Sequence, residues 1–190
     1  MKKIVIASIL ILFFGLAFLP AQTTDNPGLR PILHHFSARE FATGPITRVE
    51  LSIIVQAGLG APSAGNQQPW LFTVVENHEL AQQLIPNITE GNVLIVSSGV
   101  LDGPRRDAVI LDAGLASQSM FFAANALGLG IRQYTNPALI GRANNLKVEL
   151  GIPENHSAII VTRFGRLPPG VDVVSSASPR AAPDTRVIYR

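Results

Sequence analysis

With 190 residues, 47% of them hydrophobic, the chain can bury one sizeable core but has no room for a second domain of ordinary size. It contains no cysteine, which excludes disulfides, thiolate nucleophiles and cysteine-bound metals. Its net charge of +2 is supplied by Lys2 and Lys3 alone, and elsewhere thirteen acidic residues face twelve arginines and Lys147. No basic patch interleaved with aromatics argues for nucleic acid. His34, His35, His78 and His156 show no metal-ligand spacing with carboxylates, and the adjacent pair reads as part of a loop.

In chain order, Met1-Lys-Lys is followed by an apolar run from Ile4 to Leu19 and then by Pro20-Ala21-Gln22. A charged start, a short apolar core and a small residue before a polar segment have the form of a secretory signal cleaved after Ala21. Residues 1–21 are therefore read as a signal and 22–190 as one exported domain, periplasmic or extracellular. An uncleaved N-terminal membrane anchor is the alternative, the run being slightly short of the roughly twenty residues that span a bilayer. From Gln22 to Leu33 the sequence is polar with two prolines and reads as an extended lead-in. Thr47-Arg-Val-Glu50 is a capping box that starts a helix running to about Ala57, with Gly58 and Gly60 as its stop.

The stretch Gly60-Ala-Pro-Ser-Ala-Gly-Asn-Gln-Gln-Pro-Trp70 interrupts this apolar sequence. Pro62 and Pro69 fix φ and remove donors, so neither a continuous helix nor a central strand fits. Ser63, Asn66, Gln67 and Gln68 offer groups that donate and accept hydrogen bonds, suited to the edge of a planar heterocycle. Gly65 and Ala64 let the backbone come close to such a ring. From composition alone the stretch reads first as an ordinary polar turn before a strand.

Leu71–Val75 and Val93–Ser97 read as buried strands, with a short helix capped by Asn77 and reaching Leu84 between them. Gly99 to Asp107 reads as a solvated loop carrying Arg105 and Arg106, the alternative being that they reach a substrate or a pyridine nucleotide phosphate. From Ala108 to Leu127 the sequence is apolar on nearly every face, as in a helix buried centrally or across a subunit interface. Asp112, the one charge inside it, needs a partner unless it lies at the surface. Gly128 and Gly130 precede the strand Ile131–Tyr134; they follow a helix rather than a strand, the reverse of a dinucleotide fingerprint. Asn136-Pro137 starts a helix expected to run to Leu150 and close at Gly151. Ser157–Phe164 is the next strand, Leu167 to Pro183 is irregular, and Thr185–Tyr189 alternates like a last strand. Interleaved elements without tight βαβ spacing give α+β, with a sheet between helical layers.

Three segments in this order carry a resemblance: Ser37-Ala-Arg39-Glu-Phe41, Ala-Pro-Ser-Ala-Gly-Asn-x-Gln-Pro-Trp at 61–70, and Leu111-Asp-Ala-Gly-Leu-Ala-Ser-Gln-Ser-Met120 running into Ala126-Leu-Gly-Leu-Gly130. Together they resemble the FMN-dependent nitroreductase family from about Ser37 onward. The resemblance implies an α/β/α sandwich with an antiparallel-rich central sheet, dimeric, with FMN at the subunit interface and the C-terminal tail crossing to the partner. Ser37 and Arg39 would then hold the flavin phosphate, helped by Arg180 in the tail. Pro62, Ser63, Asn66 and Gln68 would meet the ring edge, and a backbone donor near Tyr134 and Thr135 would face the reactive flavin nitrogen. His35 and Phe36 stand where the family usually has a basic residue before the serine, leaving the clamp one charge short unless His35 is protonated or the tail compensates. No side chain need be a nucleophile: the flavin would pass electrons from a reduced donor, NAD(P)H, to a nitro, quinone or similar acceptor by a ping-pong course. Two other readings remain open. One is a flavin-dependent dehydrogenase or oxidase of another small substrate; the other is an exported binding module that has lost FMN.

Overall fold

In the computed structural model, which describes residues 28–171, 181–182 and 185–190, four antiparallel strands form one sheet in the order β1-β2-β4-β3. These are β1 (Leu71–Val75), β2 (Val93–Gly99), β3 (Gly130–Tyr134) and β4 (Ser157–Gly165). The two-residue period of β2 divides the core. Leu94 and Val96 join Leu84, Leu139 and Val161 on one face, while Val93 and Ile95 join Ile54, Met120 and Phe164 on the other. Every residue of β2 is buried, as a central strand covered on both faces requires.

One face is covered by α2 (Arg48–Leu59) and α4 (Arg106–Ala126). The other is covered by α3 (His78–Leu84), α5 (Pro137–Asn145) and the single turn α6 (Lys147–Leu150). The sheet between helical layers is the architecture expected from the sequence. Local chemistry places the helix starts. Thr47 and Glu50 form the capping box in both directions, Asn77 accepts from Leu80 N at 2.9 Å, and Asn136 accepts from Leu139 N at 3.0 Å.

Four expectations need correction. Residues Arg30–Leu33 form a short helix, α1, rather than an extended lead-in; Pro31 sits in its first turn, where its missing N–H costs nothing. This piece belongs to a unit ending at Leu33, separate from His34–Arg190. Gly58 lies inside α2 instead of ending it, because a Cβ there would overlap Met120 of α4; the two helices cross at that point. The helix begun at Pro137 breaks at Leu146, whose φ of −105° and ψ of 25° are not helical. Asn144 contributes there by bonding Ala158 N on β4 at 2.9 Å and Ile140 O at 3.0 Å. Finally, Thr185–Tyr189 forms no strand among the described residues. Thr185 closes a turn on Ala182, and alternation without a ladder partner does not make a strand.

The signal or anchor read in residues 1–21, and Arg180, lie outside the described residues. Among the described residues no helix is long and apolar enough to cross a membrane.

Candidate active site

The polar stretch before β1 folds into a tight loop with a short 3-10 turn at Ala64–Asn66. Gly65, Asn66 and Gln68 all have positive φ, at 63°, 53° and 48°. Glycine takes such a backbone freely, whereas side-chain-bearing residues need outside support. Within the loop, Ser63 Oγ accepts from Gln68 N at 3.0 Å and Gln68 Nε2 donates to Asn66 Oδ1 at 3.1 Å. Pro62, Asn66 and Gln68 are exposed and Ser63 is half-buried, so the polar groups stand at the surface.

Outside support comes from α4. Asp112 Oδ1 accepts from Ala64 N at 3.0 Å, and Arg105 Nη2 donates to Ala64 O at 3.1 Å. Asp112 is 1% exposed, so it is a core position and not a surface one, and its Oδ2 has no hydrogen-bond partner. Arg105, expected to be merely solvated, has a defined contact. Arg106 is exposed beside Asp107, at 3.6 Å.

Ser37 and Arg39 lie on an extended segment beside edge strand β3. Ala38 between them is buried and donates to Ile131 O at 2.7 Å, which turns both neighbours outward. Gly130 permits this approach: a Cβ there would come within 2.7 Å of Leu167 and 3.3 Å of Ala38. Arg39 lines a cavity of about 280 Å³ with Phe36, Glu40, Leu167 and Val171. His35 is turned onto α4, edge-on to Phe121 and Phe122 at 5.1 and 5.3 Å.

Two arginines that carried no sequence signal hold this segment from beneath. The guanidinium of Arg163, a buried residue, lies 4.0 Å from the Phe41 ring centroid and donates to Asn92 Oδ1 at 2.7 Å and Thr89 Oγ1 at 2.9 Å. Burial lowers its pKa, and hydrogen bonding with Tyr134 opposes that shift. Arg166 grips both carboxylate oxygens of Glu50, at 2.8 and 2.7 Å, as well as Pro45 O. The Arg166 hydrogen bonds, with smaller help from Thr47, draw the Glu50 pKa down to about 2 against the cost of burial. The pair ties α2 to the end of β4, next to the bridge between Ala42 and Arg166.

At the other end of β3, Tyr134 is half-buried and Thr135 is exposed on the rim of an apolar groove of about 650 Å³. Leu101, Leu111, Leu115, Ile140 and Ile160 are among its walls. From Ile131 to Thr135 the strand rise amounts to about 13 Å. Strand register puts Leu71, Ser98 and Ala158 at this same end of the sheet. The loop ending at Trp70 therefore shares an end with Thr135, but on the opposite edge, three strand spacings or about 14 Å away. The structure thus brings Ser37 and Arg39 to one end of β3 and Tyr134 and Thr135 to the other. Pro62, Ser63, Asn66 and Gln68 line neither the Arg39 cavity nor the apolar groove.

The model of the nitroreductase family matches residues 32–95. A protein of Archaeoglobus fulgidus assigned as an NADH dehydrogenase/NAD(P)H nitroreductase is 30% identical over 146 residues, covering 72% of this chain and 83% of its own length. Among solved structures, a Desulfitobacterium hafniense nitroreductase with bound FMN superposes with a TM-score of 0.70 at 22% identity, covering 87% of this chain and 98% of that one. An NADPH:FMN oxidoreductase of Vibrio harveyi in complex with NAD+ gives 0.71 at 24% identity, covering 86% and 77%. The two structures share the fold, and the Archaeoglobus relative shares the sequence over most of its length. The chain belongs to the nitroreductase family.

Proposed function

We propose that the protein is an FMN-dependent oxidoreductase that takes electrons from NADH or NADPH and passes them, in separate half-reactions, to a small planar acceptor such as a nitroarene or quinone. The observation that carries this reading is the layout of β3. The cavity lined by Arg39 adjoins the Ile131 end of β3 and the apolar groove adjoins Thr135, residues separated by about 13 Å of strand. Such a layout suits a ligand with a phosphate at one end and a flat ring at the other. Names of related proteins support the same chemistry.

The residues present fit the group. Arg39 offers a planar fork for two phosphate oxygens, and Ser37 a hydroxyl beside it. Glu40 lines the same cavity and opposes an anion, so a further cation is needed; Arg180 of the tail is assigned that place. Past Tyr134, the last residue of β3 in register with β4, the strand ladder ends and the Thr135 backbone can serve as a donor. FMN bound there supplies the redox chemistry. The protein's part is to hold the phosphate, point a donor at the ring and keep water from the groove.

The amide loop is assigned to a second copy of the chain, since it lines neither cavity of its own. Leu111 and Leu115, one turn apart on α4, are 62% and 38% exposed and offer an apolar contact for that copy. Residues 1–21 are assigned as an export signal.

Replacing Arg39 tests the phosphate assignment. Arg39→Ala should weaken FMN binding about ten- to a hundredfold, the worth of a charge-assisted pair at about 1.5–3 kcal/mol, and leave riboflavin affinity unchanged. Arg39→Lys should recover only part of the loss. Equal losses for both ligands would contradict the assignment.

A further inference from the structure

Ala64 has its backbone N–H bound by a carboxylate from the second turn of α4 and its C=O bound by the guanidinium of the residue that precedes that helix. The clamped residue immediately precedes Gly65 and Asn66, and Gln68 follows, all three in the left-handed region. Asparagine tolerates that region, but Gln68 persists there only if its surroundings impose it. Asp112 is not explained by the stability of its own helix. It is 1% exposed, Oδ2 has no partner, and the carboxylate's one hydrogen bond comes from Ala64 N. A half-satisfied buried carboxylate is costly, and an apolar residue would pack there at less cost.

We infer that Asp112 and Arg105 are positioning residues: they clamp the Ala64 peptide groups from either side and so set the left-handed turn that presents Ser63, Asn66 and Gln68 to the flavin ring. Neither residue touches the ring; each acts through the loop. The inference rests on the flavin reading above. It differs from the phosphate contact in what it governs: the ring end of the ligand, with or without a phosphate.

The test uses the full chain carrying Arg105→Ala, Asp112→Ala, Asp112→Leu or Asp112→Asn, titrated with FMN and with riboflavin by fluorescence. Arg105→Ala and Asp112→Ala should weaken both flavins alike, each roughly tenfold. Asp112→Asn keeps a side-chain oxygen for Ala64 N and should recover most of the affinity, whereas Asp112→Leu, of similar size but without that oxygen, should not, although a loss due only to poor packing would require that it did. Arg105 is exposed, so its variant is read in a folded protein even if Asp112→Ala does not fold. Unchanged flavin affinity in Arg105→Ala, a loss confined to FMN, or failure of Asp112→Asn to recover overturns the inference. If the parent binds neither flavin, the flavin reading falls and this inference with it; if the parent binds and the variants match it, only this inference falls.

Discussion

Glu50 serves two partners with one carboxylate. It closes the capping box on Thr47 and receives both forks of Arg166, 116 positions later in the chain. Because its folded pKa is depressed to about 2 from 4.5, the stability it adds is fully present above the ordinary carboxylate value. That stability is lost as pH falls from about 4.5 toward 2. Glu50→Gln keeps a capping side chain but removes the ion pair. It should cost about 1–2 kcal/mol near neutral pH and flatten the fall of the melting midpoint across that acid window. A variant whose midpoint follows pH as the parent's does would show that the pair adds nothing. The capping box was legible because its members are three residues apart. Arg166 was not, since no local spacing links it to Glu50. Asp112 was legible only as a charge in need of a partner.

At the scale of elements, the strands could be read because runs of β-branched residues between turn residues have few other uses. Glycines in helices could not, since their meaning depends on what lies opposite. A Cβ at Gly58 would strike Met120, whereas one at Gly141 in α5 would meet nothing within 4 Å. Gly58→Ala should therefore destabilise the protein by about 1–3 kcal/mol through overpacking. Gly141→Ala should stabilise it by about 0.5–1 kcal/mol through helix propensity. Thermal shifts of opposite sign are expected, and a Gly58→Ala midpoint at or above the parent's would contradict the α2–α4 crossing. The break at Leu146 escaped the sequence for a similar reason: Asn144 bonds to β4, fourteen positions downstream. The Ser37–Phe41 segment was recognisable by motif, but its seat on Gly130 and Arg163 was visible only once the sheet had formed.

For the whole molecule, the division of the proposed site residues between two ends and two edges of the sheet is the ground for the proposed second copy. If Leu111 and Leu115 lie in that contact, Leu111→Glu with Leu115→Glu should convert a dimer to a monomer in light scattering. A parent that is already monomeric while holding flavin would contradict the shared site. The central claim, that one strand joins a phosphate corner to a ring groove, is tested most directly by loading the purified protein with FMN, removing free flavin, and adding NADH or NADPH without oxygen. The account predicts flavin retained in equal amount to the chain, its visible band bleached by the nucleotide and restored by a quinone. Loss of the flavin on removal of the free ligand, or a band that neither nucleotide bleaches, would contradict it.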